Sequence, residues 1–490
     1  MTIQSPQPLI PISIVLVTAI LILLSRKRPN LREFWSLAGS ILTFISVAVM
    51  VPTILNSQKI VYTLSTIAPG ISLNFRVDAL SLIFGIVSSF LWIFATCYNI
   101  GYMRSLNEHA QTRYYMCFAI AILGAQGVSY SGSLFSLYLF YEIITIFTYP
   151  LVAHHQDEEG YAGAKKYIVY LMGTSKGLLL PATVLTYVFT GTLDFADNIT
   201  TGIFTKGTDG LWVTVTYCLF LFGFAKAAIM PLHNWLPSAM VAPTPVSALL
   251  HAVAVVKAGV FCICRVMLSV FGVELLQGLN LGLYTAYFVS FTILVASIIA
   301  LTKDDLKARL AYSTVSQLSY IVLGVALLDP SGMLGGILHI VNHGFSKITL
   351  FFCAGAVFVA TQKRKISDME GMGYAMPFTF GAFAIASLSM IGAPPVAGFV
   401  TKWYLLNGAL EIHNLPILIV LMASTILNAG YFAPITYKAF FQGRKGRWTR
   451  ADIKEAPATM VVPIVLAALI SVALGIFPQF FTQLIGRFLS

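Results

Sequence analysis

The sequence predicts an all-α integral membrane protein of about fourteen transmembrane helices, and three observations carry that prediction. Of its 490 residues, 58% are apolar and only 10% charged; the mean hydropathy is +0.83; and apolar runs recur at the length a bilayer requires. A soluble chain carries about 25% charged residues, so 30 Lys/Arg and 19 Asp/Glu cannot coat a water-facing surface of this size. A spanning helix needs roughly 20 apolar residues and a short connection, which limits the chain to about sixteen spans.

Runs long enough to span begin near Leu9, Trp35, Ala79, Tyr115, Leu134, Tyr167, Leu211, Val246, Leu281, Ala308, Met333, Phe378, Pro416 and Thr459. The first is followed by RKRPNLR (Arg26 to Arg32) and has no basic flank in front of it, which predicts a retained span and not a cleaved signal. Loop charges then orient the bundle, because cytoplasmic loops keep Lys and Arg during insertion. With the N-terminus outside, the inner loops hold Arg26, Lys27, Arg28, Arg32, Arg104, Arg113, Lys165, Lys166, Lys303, Lys307, Arg309, Lys363, Arg364, Lys365, Arg444, Lys445, Arg447, Arg450 and Lys454. The outer loops and tail hold Lys59, Arg76, Lys206 and Arg487. Both termini are therefore expected to face outward, in a multi-pass protein of the cell (inner) membrane. The net charge of +11 is thus spent on topology, and no nucleic-acid partner is expected, since the basic residues sit between apolar segments and not along an aromatic-studded face.

Two spans are interrupted. The seventh reads LFGFAKAAIMPLHNWLPSAM from Leu221, with Pro231 and Pro237, and the twelfth reads SMIGAPPVAGFVTKWYLL from Ser389, with Pro394 and Pro395. Proline removes a backbone donor and obstructs the preceding turn, so both helices should break within the membrane, where irregular backbone must face protein or a wet cavity. LLHAVAVVKAGVF (from Leu249) follows the first break and ILHIVNHGFSKITLFF (from Ile337) precedes the second; each places a lysine some six to eight residues after a Leu-His start. This echo predicts two inverted five-helix repeats with one discontinuous helix in each. The expected organisation is 1–113 as an N-terminal three-helix segment, 114–270 and 271–442 as the repeats, and 443–490 as a loop and last helix.

A charge at mid-bilayer costs at least about 2.5 to 3.5 kcal/mol on insertion scales, so each one within a span demands a reason. Glu142 lies in the fifth span, Lys176 in the sixth, Lys226 in the seventh, Lys257 in the eighth, Lys347 in the eleventh and Lys402 just past the break in the twelfth; His233, His251, His339 and His343 accompany them. Lysine changes its proton affinity readily on desolvation and histidine titrates near neutrality, so this set suits stepwise proton movement. If Glu142 approaches Lys226, their pairing holds the lysine protonated until the pair opens. Lys176 is expected to snorkel or face a neighbouring subunit, and Lys176→Leu to be tolerated. All six cysteines lie in apolar stretches with no CxxC pair, and there is no GxGxxG, no phosphate loop and no soluble domain. No cofactor or metal is expected.

The stretch AKAAIMPLHNWLPSAMVAPTPVSALLHAVAVVKAGVF, Ala225 to Phe261, closely resembles the signature of the antiporter-like subunits, and DLKARLAYSTVSQLSYIVLG (Asp305 to Gly324) and APPVAGFVTKWYLL (Ala393 to Leu406) are further matches. That family comprises the L, M and N membrane subunits of complex I, related subunits of membrane-bound hydrogenases, and the A and D subunits of Mrp-type multisubunit Na+/H+ antiporters. The resemblance implies a gating pair, Glu142 and Lys226; a central relay of Lys257 or Lys347 with His251, His339 and His343; and Lys402 as the terminal site toward the outside. Lysine at 402 resembles the D-type antiporter subunit, whereas HHQDEEGYAGAKKYIVYLMGTSKG (His154 to Gly177) is closer to the hydrogenase and complex I branch. The implied function is proton translocation within a cation/proton antiporter, beside other membrane subunits, with Na+ as the exchanged cation. The alternative is a proton-pumping subunit of a complex I-like NADH:quinone oxidoreductase or a hydrogenase, and only there would the chain be part of an enzyme.

Overall fold

The computed structural model describes residues 2–204, 207–442 and 453–489. Among the basic loop residues, Lys206, Arg444, Lys445, Arg447 and Arg450 lie outside the described residues, as do residues 443–452 at the start of the expected 443–490 segment of loop and last helix.

Helices dominate because apolar runs in a membrane must satisfy their backbone internally. Among the described residues nine helical segments are long and apolar enough to cross a bilayer by length and composition, and three shorter apolar helices, Leu9–Leu24, Gly210–Gly223 and Pro377–Ile391, join them. Gln111–Tyr130 and Leu306–Ala326 pack among them and carry Arg113, Lys307 and Arg309 near their starts, and Ala397–Glu411 and Gln479–Leu489 are packed there too. Many loop acids serve as helix caps. Asp78, Asp157, Asp209, Asp305 and Asp329 each accept a backbone N–H from the first turn of the helix that follows, offsetting a donor that would otherwise lack a partner.

The all-α expectation needs one correction. A three-stranded sheet is present, with strand β1 (Thr2–Gln4) parallel to β2 (Lys59–Ala68) and β2 antiparallel to β3 (Ile71–Val77). Residues 59–77 lie between two spans, Ile71, Leu73, Phe75 and Val77 alternate with Ser72, Asn74 and Arg76, and Pro69–Gly70 turns the chain with Gly70 at φ +74°. That is a hairpin signal.

Both predicted breaks occur. After Gly210–Gly223 the chain makes a single tight turn, Ala225–Ala227, passes through Ala228 at φ +54° and a cis Met230–Pro231 bond, and resumes as the short helix Trp235–Ser238. The second break lies between Pro377–Ile391 and Ala397–Glu411, with Gly392 at φ +88° and a cis Pro394–Pro395 bond. Gly392 is required there twice over: its φ is left-handed, and a Cβ would lie 2.5 Å from Lys402 Cδ. Three wider π-turns interrupt other helices, at Ser175–Leu179, Leu249–Val253 and Met267–Phe271. Such turns frequently mark functional positions, and two of the three carry Lys176 and His251.

Candidate functional site: a buried line of lysines and histidines

The first broken helix presents Lys226. It sits wholly buried on the turn Ala225–Ala227, its Nζ donating to the Tyr141 carbonyl at 2.6 Å and lying 3.0 Å from the Tyr141 ring centre. The close approach of helix Val255–Val266 beneath this turn depends on Gly259, where a Cβ would meet the backbone of Lys226 and Ala227. Tyr141 immediately precedes Glu142 on helix Leu134–Val152, so Lys226 and Glu142 bracket one residue. Their expected ion pair is nevertheless not formed. Among the described residues the cation within 4 Å of the Glu142 carboxylate is Lys176, whose Nζ is 3.5 Å from Oε2 and also donates to the Tyr138 hydroxyl at 2.7 Å. The π-turn Ser175–Leu179 adds a residue to the sixth span and supplies Lys176; this local widening left no mark in the apolar pattern of the sequence. Neither Glu142 oxygen has a hydrogen-bond partner among the described residues.

The central group joins helix Val255–Val266 to the 32-residue helix Pro330–Thr361. His339, His343 and Lys347 recur every four residues and therefore lie along one helical face. Lys257 Nζ is 2.8 Å from His343 Nδ1. An ammonium can only donate, so while Lys257 is charged Nδ1 is the acceptor and the imidazole proton is assigned to Nε2, which has no partner among the described residues. His339 lies one turn away, its ring centre 5.7 Å from that of His343, with Nε2 2.9 Å from Gln317 Oε1. Lys347 points elsewhere, donating to the Leu310 carbonyl at 3.1 Å and to the Ser313 hydroxyl. His251, on its π-turn, packs against Phe351 with ring centres 4.5 Å apart, and both ring nitrogens lack partners among the described residues. His233 is only half-buried, 6.3 Å from Tyr312 between ring centres.

The second broken helix presents Lys402. Its Nζ donates to Ile391 O at 2.6 Å and to Thr425 Oγ1 at 3.0 Å, and lies 5.5 Å from the Tyr320 ring centre. Tyr320 in turn is 5.8 Å from His339 between ring centres and donates to Ser424 at 2.7 Å. The structure therefore brings Lys257, His343, His339 and Lys402 into one polar line through Tyr320, with Lys347 and His251 beside it. Gln317 and Tyr320 were missed in the sequence. Both lie in DLKARLAYSTVSQLSYIVLG, three residues apart on one helical face, which was the available signal.

Arg265, also missed, forms a second buried centre. It donates to both Asp78 oxygens at 2.6 and 2.7 Å and to Ser81 at 2.9 Å, and Arg76 reaches Asp78 at 3.3 Å. Burial disfavours the Asp78 carboxylate, but Arg265 and Arg76 hold it well below the usual carboxylate range. An arginine in the apolar run FCICRVMLSVF marks this centre in the sequence.

With this geometry established, comparison with known proteins is informative. The transmembrane family described as NADH:quinone oxidoreductase/Mrp antiporter matches residues 131–441, which is more than half the chain and contains every lysine and histidine of the line. The chain belongs to that family. NADH-quinone oxidoreductase subunit N of Desulforudis audaxviator is 32% identical over 485 residues, covering 96% of this chain and 95% of that relative. The Staphylococcus aureus protein named as antiporter subunit mnhA2 is 28% identical over 467 residues, covering 90% of this chain and 57% of that relative; the chain thus spans a little over half the length of that protein. The fold is shared with a chain of the Mrp complex from Dietzia sp. DQ12-45-1b, with TM-score 0.87 and 22% identity over 99% of this chain and 97% of that one. It is likewise shared with a chain of the membrane-bound sulfane sulfur reductase, an archaeal respiratory membrane complex, with TM-score 0.88 and 24% identity over the same shares. The family member is a multi-pass membrane protein of the antiporter-like type.

Proposed function

We propose that the chain is the proton-translocating subunit of a multisubunit cation/proton antiporter of the cell membrane. The observation that carries the reading is the 2.8 Å contact between Lys257 and His343, a wholly buried titratable pair at the centre of the polar line. In this reading Glu142, Lys226, Lys257, His251, His339, His343, Lys347 and Lys402 are the proton carriers, arranged over fourteen spans in two inverted repeats, 114–270 and 271–442, after the three-helix segment 1–113. Both termini face outward, following the loop charges.

Protonation of Lys226 is set by Glu142, and Lys176 competes for the same carboxylate at 3.5 Å. When Glu142 turns to Lys176, Lys226 loses its counter-charge and releases its proton inward along the line. Lys257 passes a proton to His343 Nδ1 as His343 gives up the one on Nε2, which leaves the imidazole protonated on Nδ1, and a ring flip restores the starting tautomer before the next proton. His339 and Tyr320 continue the path to Lys402. Carbonyl acceptors suit lysines that change charge, because an amine donates an N–H to a carbonyl in both states. The energetics are attainable: moving one charge across 100 mV takes about 2.3 kcal/mol, and a change of under two pKa units supplies that at 1.36 kcal/mol each.

A second reading, a proton-pumping membrane subunit of a complex I-like oxidoreductase, is favoured by the end-to-end match to subunit N at 32% identity. Extraction of the native complex in mild detergent, with mass spectrometry of what accompanies the chain, separates the two. Small hydrophobic subunits alone support the antiporter; a flavin or iron–sulfur protein at stoichiometric level overturns it in favour of the redox-driven pump.

A further inference from the structure

A cluster outside the lysine line has the chemistry of a metal site. Two loops meet at one end of the bundle, 106–110 after helix Ala79–Ser105 and 153–157 after helix Leu134–Val152. They bring together Glu108, His109 and His154, whose ligand atoms all lie within 4.8 Å of one another. His154 is wholly buried. Its Nε2 stands 3.5 Å from Glu108 Oε2 without forming a hydrogen bond, and its Nδ1 also has no partner among the described residues. Leaving a buried polar atom unpaired costs about 1–3 kcal/mol, so the site retains an unfavourable term that a ligand would remove. The ring is already held in place, by Tyr114 edge-on at 5.5 Å between centres and by Arg113, which donates to the His154 carbonyl at 3.1 Å. The His109 ring stands 4.8 Å from that of His154 and is exposed, free to turn.

We propose that Glu108, His109 and His154 bind a divalent metal ion of the Zn2+ class, joining the two loops at the rim of the inner cavity. Two imidazoles and a carboxylate are a donor set Zn2+ accepts with water as a fourth ligand, at about 2.0–2.2 Å from each protein atom. Tetrahedral ligands at that length lie about 3.3 Å apart, which the Glu108–His154 distance already meets and His109 reaches by a rotamer change. Hard Mg2+ and Ca2+, which favour oxygen ligands, suit it poorly. The site matters for transport because Glu108 also lines a cavity of about 360 Å³ together with His155, Thr244 and Lys307. Thr244 begins the helix Thr244–Ala248, which runs directly into the π-turn bearing His251. A metal at the rim therefore ties helix Leu134–Val152, which carries Glu142, to the mouth of that cavity, and slows ion movement.

The test uses the intact complex, stripped with a chelator and titrated with ZnCl2 by calorimetry, with metal counted by mass spectrometry after gel filtration. Wild-type complex should hold one Zn2+ more than complexes carrying His154→Ala or His109→Gln, with the site's Kd weakened at least tenfold in each. His109→Gln alters an exposed side chain, so it decides the matter if His154→Ala fails to assemble. Equal stoichiometry and affinity in wild type and His109→Gln would overturn the proposal, as would displacement of the bound Zn2+ by millimolar Mg2+. Proton movement in everted vesicles should be inhibited by micromolar Zn2+ in wild type, and the inhibition should be relieved in His109→Gln.

Discussion

Replacing Gly259 by alanine should destabilise this protein, although helix propensity argues the opposite. Glycine in a helix interior costs about 0.5–1 kcal/mol relative to alanine, and Gly259 lies inside helix Val255–Val266, so propensity alone predicts a gain. The structure reverses the sign. An added Cβ would lie 2.5 Å from the Lys226 carbonyl carbon and closer still to Ala227 N, where ordinary contact begins at 3.4 Å. Both obstacles are backbone, so no rotamer relieves them, and the turn and the helix must part by about 1 Å, an overpacking that typically costs 1–3 kcal/mol. A shift of that size falls on the backbone that carries Lys226 and disturbs the hydrogen bond from its Nζ to Tyr141 O, 2.6 Å as it stands, which tolerates little lengthening beyond roughly 3.2 Å. A misplacement of that size costs about a hundredfold in rate when it falls on a positioned group. Proton movement followed by acridine-dye quenching in everted vesicles, with assembly scored on native gels, measures the effect. Gly381→Ala is the control: it lies in helix Pro377–Ile391 and a Cβ there would meet nothing within 4 Å, so it should be neutral or slightly stabilising. If Gly259→Ala transports at the wild-type rate and melts no lower than Gly381→Ala, the turn does not position Lys226 and the gating scheme fails with it.

Glu142→Ala and Lys226→Ala should each abolish proton movement in the same vesicles while leaving the complex assembled; full activity in either removes that residue from the path. Lys257→Arg keeps a positive charge but cannot release a proton, so it should be as inactive as Lys257→Met, and an active arginine variant would reduce Lys257 to a fixed charge. Lys176→Leu, tolerated if the lysine only snorkels, should instead slow transport about tenfold, the equivalent of 1.4 kcal/mol, because Glu142 loses its 3.5 Å partner; Lys176→Arg should restore most of it. Arg265→Met leaves the Asp78 carboxylate buried without its main counter-charge and should cost about 3–5 kcal/mol, read as a lowered melting temperature. Since the folded Asp78 carboxyl lies below its ordinary value, its contribution is complete above the ordinary carboxylate range and is lost as pH falls through the folded pKa, and in the Arg265→Met protein the acid limb of the melting curve should flatten.

Most of the architecture was legible because the bilayer imposes a length on every apolar run, and prolines at 231, 237, 394 and 395 announced the two breaks. What escaped was local. The hairpin Lys59–Val77 lies between spans, where hydropathy is silent and only a period-two pattern with a Pro-Gly turn speaks. The π-turns at Ser175 and Leu249 shift the phase of a helix by one residue, and an apolar run looks the same before and after such a shift. Lys176, expected to snorkel or face a neighbouring subunit, is indeed exposed, but the shifted phase also sets its Nζ 3.5 Å from Glu142, which the sequence did not reveal. The buried charged residues were readable from the cost of burying charge; which of them touch was not, since pairing depends on how separate helices face one another. Arg265 carries no sign of proton transfer in the sequence, since an arginine that cannot release its proton signals anchoring.

The acceptors of three of the buried lysines are main-chain carbonyls, those of Tyr141, Leu310 and Ile391. A genetic scan that truncates side chains one by one cannot delete such an acceptor, so it misses one of the two acceptors of Lys347 and of Lys402 and the carbonyl that receives Lys226. The Ile391 carbonyl is available because the helix stops there, and the helix stops because of the glycine and prolines just beyond. Residues that never touch the lysine therefore fix its acceptor, and that acceptor is edited by rebuilding the break, for instance with amide-to-ester substitution at the Ile391–Gly392 bond, which weakens the Ile391 carbonyl, removes the Gly392 N–H that donates to Leu388 O, and leaves every side chain in place.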